Sequence, residues 1–287
     1  MGLTACEDVI EVEVPSEDPR LVVEGLLRVD TSQTYIPVEI RLSQTAAFFE
    51  EIRPVTDVEE IAIIYQKLED GIPTGDTFVS SLTQVDPGSG IYVPDPSFDT
   101  DQRIPTAILQ DPYLFVLVIQ WRGRRYAAQT EYVSSVPIDA LRIGDGSLFG
   151  EEETELIVRF TDDPDLENFY VFDFGFNNYL TTLDIFYNGQ EFEFSYFYDQ
   201  EFEPGTVLEI GLLGADRTFF NYMDLLIEQS GGQQGPFQTP VATVRGNVFD
   251  VTGLDNIEDV DNTGQPDVFP LGYFAIVQEF TSRITIE

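Results

Sequence analysis

The sequence contains no histidine and a single cysteine. The first absence excludes Ser-His-Asp and Cys-His catalysis, histidine zinc ligands and the usual general base near neutral pH. One cysteine excludes an intramolecular disulfide and any Cys-rich metal site. Neither G-x-x-x-x-G-K-[ST] nor G-x-G-x-x-G occurs, so the phosphate-cradling loops of nucleotide enzymes are missing. No stretch approaches the roughly 18–20 apolar residues of a membrane-spanning helix. Positive charge is scarce: 14 bases face 52 acids, for a net charge of -38, and Lys67 is the only lysine. Such a field repels nucleic acid and anionic lipid headgroups, which removes nucleic acid as a partner. It suits cations, cationic partners, or solubility in a salty medium where screening tames self-repulsion. What remains for chemistry is carboxylates, hydroxyls and tyrosines. An aromatic content of 13% disfavours disorder, and 287 residues suggest two domains at roughly 100–200 residues each. The chain reads as folded and soluble.

The lone cysteine sits in Leu3-Thr4-Ala5-Cys6, followed by Glu7 and Asp8. This quartet is similar to the lipobox of bacterial lipoproteins, in which the thiol accepts a diacylglycerol. The alternative is a small buried thiol, yet a cysteine before an acidic, unpatterned stretch is poorly placed for a core. Five residues precede Cys6, fewer than the basic and apolar regions of an export signal need, so the signal is inferred. Residues 1–20 then form lipobox and acidic tether, and a lipid anchor holds the protein to the outer membrane, exposed at the surface.

From Leu21 the pattern turns to short β-rich runs bounded by turn residues: 21–29, 35–42, 60–65, 77–79, 90–93, then 113–121 and 124–130 around a turn at Arg122-Gly123. Seven or so strands punctuated by Gly and Pro predict an antiparallel, immunoglobulin-like β-sandwich over 21–136. Val136-Pro137-Ile138-Asp139 reads as the hinge into a second antiparallel β domain over 137–287. There, strands are expected at 155–160, 169–176 and 192–198, with a hairpin turn at Asn188-Gly189. A helix is expected over 216–229, because Asp216 is a good N-cap, Phe219, Phe220, Met223, Leu226 and Ile227 recur at helical spacing, and Ser230-Gly231-Gly232 stops it. A final strand pair, 241–249 and 272–286, brackets an acidic loop. The fold class is therefore mainly all-β with one α-helix.

Several segments recur together in one known group: Cys6-Glu7-Asp8-Val9-Ile10, Leu21-Val22-Val23-Glu24-Gly25, Gly90-Ile91-Tyr92 and Tyr126-Ala127-Ala128. Asp163-Pro164 before Asn168-Phe169-Tyr170, the helix near 220, and Pro270-Leu271-Gly272-Tyr273-Phe274 continue the order. The chain resembles the Bacteroidetes lipoprotein family catalogued as domain of unknown function 4249, over essentially its whole length. The resemblance implies an envelope lipoprotein, an accessory of TonB-dependent, SusC-like outer-membrane receptors. It carries over no catalytic or ligand-binding residues.

Four groups of residues are candidate sites. Residues 169–198 hold thirteen aromatics, either a stacking platform for a sugar or peptide or a core built of Phe. Tyr187, Tyr196 and Tyr198 are the surface candidates among them, since a phenol hydroxyl seeks a polar partner. Asp259, Asp261, Thr263 and Asp267 are candidate calcium ligands, with Gly264 at the sharp turn of an Asp259–Asp267 loop. Pro270 stands where a bidentate Glu belongs, and the alternative is a solvated acidic turn. Trp121, Arg122, Arg124 and Arg125 form a basic hairpin tip, suited to docking an acidic partner surface or to neutralising nearby carboxylates. Carboxylate pairs abound in so acidic a chain and by themselves signal nothing. The expected function is non-enzymatic: a lipid-anchored binding or accessory subunit of a TonB-dependent uptake complex. Alternatives are a stand-alone surface glycan- or peptide-binding module and, third, a carboxylate-based hydrolase. No cofactor is expected beyond the calcium candidate.

Overall fold

A computed structural model describes residues 19–46, 51–148, 153–165, 167–230, 244–252 and 269–287. The first half contains β1 (Leu21–Val29), β2 (Ile40–Gln44), β3 (Arg53–Pro54), β4 (Val58–Glu69), β5 (Ile72–Gln84), β6 (Ile91–Pro94), β7 (Tyr113–Trp121) and β8 (Arg124–Val133). The second contains β9 (Ile138–Ile143), β10 (Thr154–Thr161), β11 (Phe169–Asp173), β12 (Tyr179–Leu183), β13 (Glu191–Tyr198), β14 (Val207–Ala215), α1 (Arg217–Ser230), β15 (Val248–Asp250) and β16 (Leu271–Thr285). The fold is all-β with one helix, as the short β-rich runs and the one helical spacing led us to expect.

The strands β1 and β7 alternate buried and half-buried residues, the period-2 signature of a sheet with one face on a core. Pairing runs β16-β1-β2-β6-β5-β4-β7-β8, and β8 then pairs with β16 again, so eight strands close on themselves. Inside lie Val23, Leu27, Ile40, Ile63, Phe115, Leu117, Phe274 and Ile276, all at most 1% exposed. Two pairings depart from the antiparallel expectation: β16 runs parallel to β8 where the ring closes, and β1 runs parallel to β16, Val22 opposite Leu271 through Val29 opposite Gln278. The close approach depends on Gly272, which has φ 96°, and where a Cβ would run into the Val23 carbonyl.

Strand β16 also continues into the second half. Beyond its pairing with β1 it pairs antiparallel with β14, which leads to β11 and the edge strand β12. One face of this sheet is covered by α1 through Phe219 and Met223, packed on Phe169, Val171, Leu213, Tyr273 and Ala275. The other face meets the three-stranded sheet β13-β10-β9 over Phe160, Tyr170, Phe172, Phe174, Ile210 and Leu212. The helix begins as its sequence dictates. The Asp216 carboxylate accepts the Phe219 N–H at 2.6 Å, and the Asp216 carbonyl accepts that of Phe220.

Three local expectations are corrected. Asn188-Gly189 is a turn, with Gly189 at φ 67°, but it joins no hairpin. β11 turns back at Gly175–Asn178 to pair with β12, while β13 crosses to β10 in the other sheet. Phe176 lies past the end of β11 with φ 54° and is exposed, because only residues up to Asp173 join the ladder. The last two strands do not pair with each other either. β15 pairs with β8, and it is the Asn247 side chain that reaches β16, bonding both backbone groups of Phe274.

Where β1, β11, β12 and β16 meet, Arg28 donates to Asp173 at 2.6 Å and to Glu279 at 3.1 Å, and also reaches the Tyr179 hydroxyl. Burial pushes the Glu279 carboxyl up, with Arg28 acting against that shift. Gly211 makes room for the cluster, since a Cβ there would strike the Glu279 carboxylate.

Candidate functional site

The aromatic-rich segment folds into a core. Tyr187 and Tyr198 are 5% and 2% exposed. The Tyr198 hydroxyl donates to the Phe174 carbonyl at 2.9 Å, and that of Tyr187 pairs with Thr182 at 3.0 Å. Tyr196 is half-buried, with its ring stacked on Phe174 at 3.8 Å between centroids. Internal partners meet the needs of the two buried phenols, and packing covers the third ring, so these residues do not form an open stacking platform. β13 does alternate as expected, with Glu191, Glu193 and Ser195 exposed opposite the aromatic face.

The basic hairpin tip is also rearranged by tertiary contacts. Trp121 is 3% exposed and its indole N–H donates to Asp57 at 2.8 Å, a bond that holds the Asp57 carboxyl below its usual range. Arg122 lies over the Trp121 ring and 3.7 Å from Asp57, while Arg124 bonds Asp250 at 2.7 Å. Arg125 is exposed, and its backbone N–H donates to Thr252. Acids from β15 and from the approach to β4 thus neutralise two of the three arginines, and the tryptophan is unavailable to a partner. Cys6 and the candidate calcium ligands Asp259, Asp261, Thr263 and Asp267 lie outside the described residues. Among the described residues no group of three or more His, Cys, Asp or Glu could hold a metal ion. No helix there is long and apolar enough to cross a membrane.

A better-formed surface site follows β6. Residues 94–96 and 98–103 line an open cleft of about 390 Å³, within the size range of small-ligand sites. Its base is rigid because Gln102 is buried and fully engaged. The Gln102 Oε1 accepts the Ser81 N–H at 2.8 Å, its Nε2 donates to Thr100, and its carbonyl accepts the Ser80 hydroxyl at 2.6 Å. Asp95 accepts the Ser97 N–H, closing an Asx turn that leads to Phe98. Asp101 forks onto the Arg103 guanidinium at 2.7 and 2.9 Å, which holds its carboxyl well below the ordinary range. Arg103 in turn lies 3.9 Å over the Tyr35 ring. Phe98 is 51% exposed at the rim, beside the exposed Asp99.

The cleft therefore offers an open aromatic face flanked by oxygen acceptors, with its one guanidinium already paired. That set suits holding a ligand through ring stacking and accepted hydrogen bonds. The sequence carried a weak sign of it, a lone aromatic in the Pro- and Asp-rich run Pro94-Asp95-Pro96-Ser97-Phe98-Asp99. Its significance depends on Gln102 being buried, which no local pattern reveals.

A search of curated proteins finds no match to the chain. The model of one family, described as a domain of unknown function (DUF4249), matches residues 7–254. That span takes in every strand from β1 to β14, the helix, and the short β15, and the chain belongs to this family of unknown function.

Proposed function

We propose that the protein is a lipid-anchored outer-membrane protein, exposed at the cell surface, that serves without catalysis as a binding or accessory subunit of a TonB-dependent uptake complex. The observation that carries the reading is the Leu3-Thr4-Ala5-Cys6 quartet with its acidic sequel, ahead of the first described strand, β1. A diacylated cysteine would tether the fold through residues 7–18, and the strongly acidic surface keeps it off anionic headgroups. The test is a detergent pull-down of the full-length protein from its native membrane, read by mass spectrometry. Diacylglycerol on Cys6 and a stoichiometric TonB-dependent barrel are expected. Recovery of the lipidated protein alone would overturn the accessory role, and an unmodified Cys6 would overturn the anchoring.

The cleft at Phe98 favours a second reading, a glycan- or peptide-binding module that acts without a transporter. It expects the purified chain to bind members of a glycan or peptide array, with Phe98→Ala abolishing the signal while leaving the thermal midpoint in place.

A further inference from the structure

Two adjacent large apolar side chains stand almost free in water at the turn between β12 and β13. Ile185 is 67% exposed and Phe186 is 90% exposed. Both belong to a single 3-10 turn, Asp184–Phe186, whose first residue Asp184 and following residue Tyr187 are 2% and 5% exposed. The turn cannot fold its apolar pair back onto the body, because both sides are pinned. The Asp184 carboxylate accepts the Asn168 N–H at 2.8 Å, and its backbone N–H donates to the Asn168 carbonyl. Tyr187 stacks on Phe192 at 4.4 Å and meets Phe160 edge-on. Two residues further, the Gly189 N–H donates to the buried Asp162 carboxylate at 2.8 Å. Phe176 shows the contrast: it too is exposed, yet its ring stacks on Phe202, whereas Phe186 contacts no other ring among the described residues.

The surroundings of this pair carry more acids than bases. The adjoining turn presents Asp163, Asp165 and Glu167, and Glu191 opens the next strand; neither segment contains a lysine or arginine. Arg217 pairs with Glu167 and Arg159 approaches Glu191, which leaves Asp163 and Asp165 exposed with no ion pair among the described residues. A rigid apolar point with an acidic margin repels an anionic bilayer and a second copy of a chain carrying a net charge of -38.

We propose that Ile185 and Phe186 form a docking wedge for a partner protein that offers an apolar socket bordered by arginine or lysine. Pre-set rigidity is what such an anchor needs, since little conformational freedom is lost when it is buried. The acidic margin speeds encounter and selects against partners with a negative rim. This wedge does not depend on lipid at Cys6 or on the nature of the partner complex.

A photo-reactive phenylalanine analogue placed at position 186 of the full chain, expressed in its native host, tests the proposal. The expected adduct maps to one peptide of one protein, with apolar residues flanked by lysine or arginine. The purified partner should then bind the full chain, with Phe186→Ser and Ile185→Ser each weakening it by roughly tenfold to a hundredfold. High salt should slow association further, while both variants keep the parent thermal midpoint because the removed side chains are in water. Adducts to lipid alone, adducts to a second copy, no adduct, or a partner whose affinity ignores both substitutions would each overturn the wedge.

Discussion

The joint among β1, β11, β12 and β16 allows a prediction with a definite sign. One guanidinium, Arg28, serves two carboxylates, Asp173 and Glu279, whose side chains are only 16% and 14% exposed. Replacing it by an apolar residue of similar length, Arg28→Met, leaves two close carboxylates without a cation. Breaking a buried ion pair in this way costs about 3–5 kcal/mol. The Arg28 side chain is itself 33% exposed, so solvent reduces the loss to about 2–3 kcal/mol. For a chain of this size that corresponds to a drop of roughly 4–10 °C in thermal midpoint. Glu279→Gln should behave differently, because it removes the surplus negative charge and keeps an oxygen facing Arg28; a change within about 1 kcal/mol is expected. The pH dependence follows from the raised Glu279 carboxyl, whose ordinary value is 4.5. The folded state keeps a proton there that the unfolded chain has released, so this contribution to stability is fully present below 4.5 and is lost as pH rises through the folded value. Without Arg28 the loss deepens. The deficit of Arg28→Met should be largest near neutral pH and narrow as pH falls toward the ordinary carboxyl value of 4.5. Differential scanning calorimetry across that range, on both variants, reads the effect. Equal costs for the two substitutions, or a deficit that does not change with pH, would refute the reasoning.

Alkaline stability depends on phenols that are wholly or partly withdrawn from water. Burial pushes Tyr92, Tyr132 and Tyr187 up to about 12, so their contribution to stability is intact below about 10 and disappears as pH climbs toward the folded values. Tyrosinate absorbance and circular dichroism should therefore change together in that window, and completion of the absorbance rise over an unchanged dichroism spectrum would contradict it. Asn247, 9% exposed, donates to the Phe274 and Gln129 carbonyls and accepts the Phe274 N–H. Asn247→Ala strands those groups and should cost about 2–4 kcal/mol in urea denaturation; a loss below about 0.5 kcal/mol would mean that this link from β15 to β16 contributes nothing beyond an ordinary surface contact.

Elements whose identity rests on local physics are legible in the sequence. The runs 21–29 and 113–121, β-rich and bounded by turn residues, match β1 and β7 end to end. The helix follows from Asp216 and the helical spacing of Phe219 and Met223. Candidate sites fare differently. Tyr187, Tyr198 and Trp121 look available because each carries a polar group, but Thr182, the Phe174 carbonyl and Asp57 satisfy those groups internally. The Ile185-Phe186 wedge escapes a reading of the sequence, and the Phe98 cleft leaves there only a lone aromatic in a Pro- and Asp-rich run. An apolar residue in a turn looks the same there whether it folds inward or is held outward by its neighbours.

By itself, then, the sequence determined the β-rich class, the single helix and the acidic surface, because periodicity, capping and charge act between residues close in the chain. Only the tertiary structure decided that the first strand and the last lie parallel and side by side. It also decided that β13 leaves its expected hairpin for β10, and which aromatic faces remain in water. The physical reason is that a period-2 pattern states that a face is buried without stating against what. The partner is chosen by packing across the whole chain, where β16, apolar on both faces over its first half, buries itself between the closed ring and the helix.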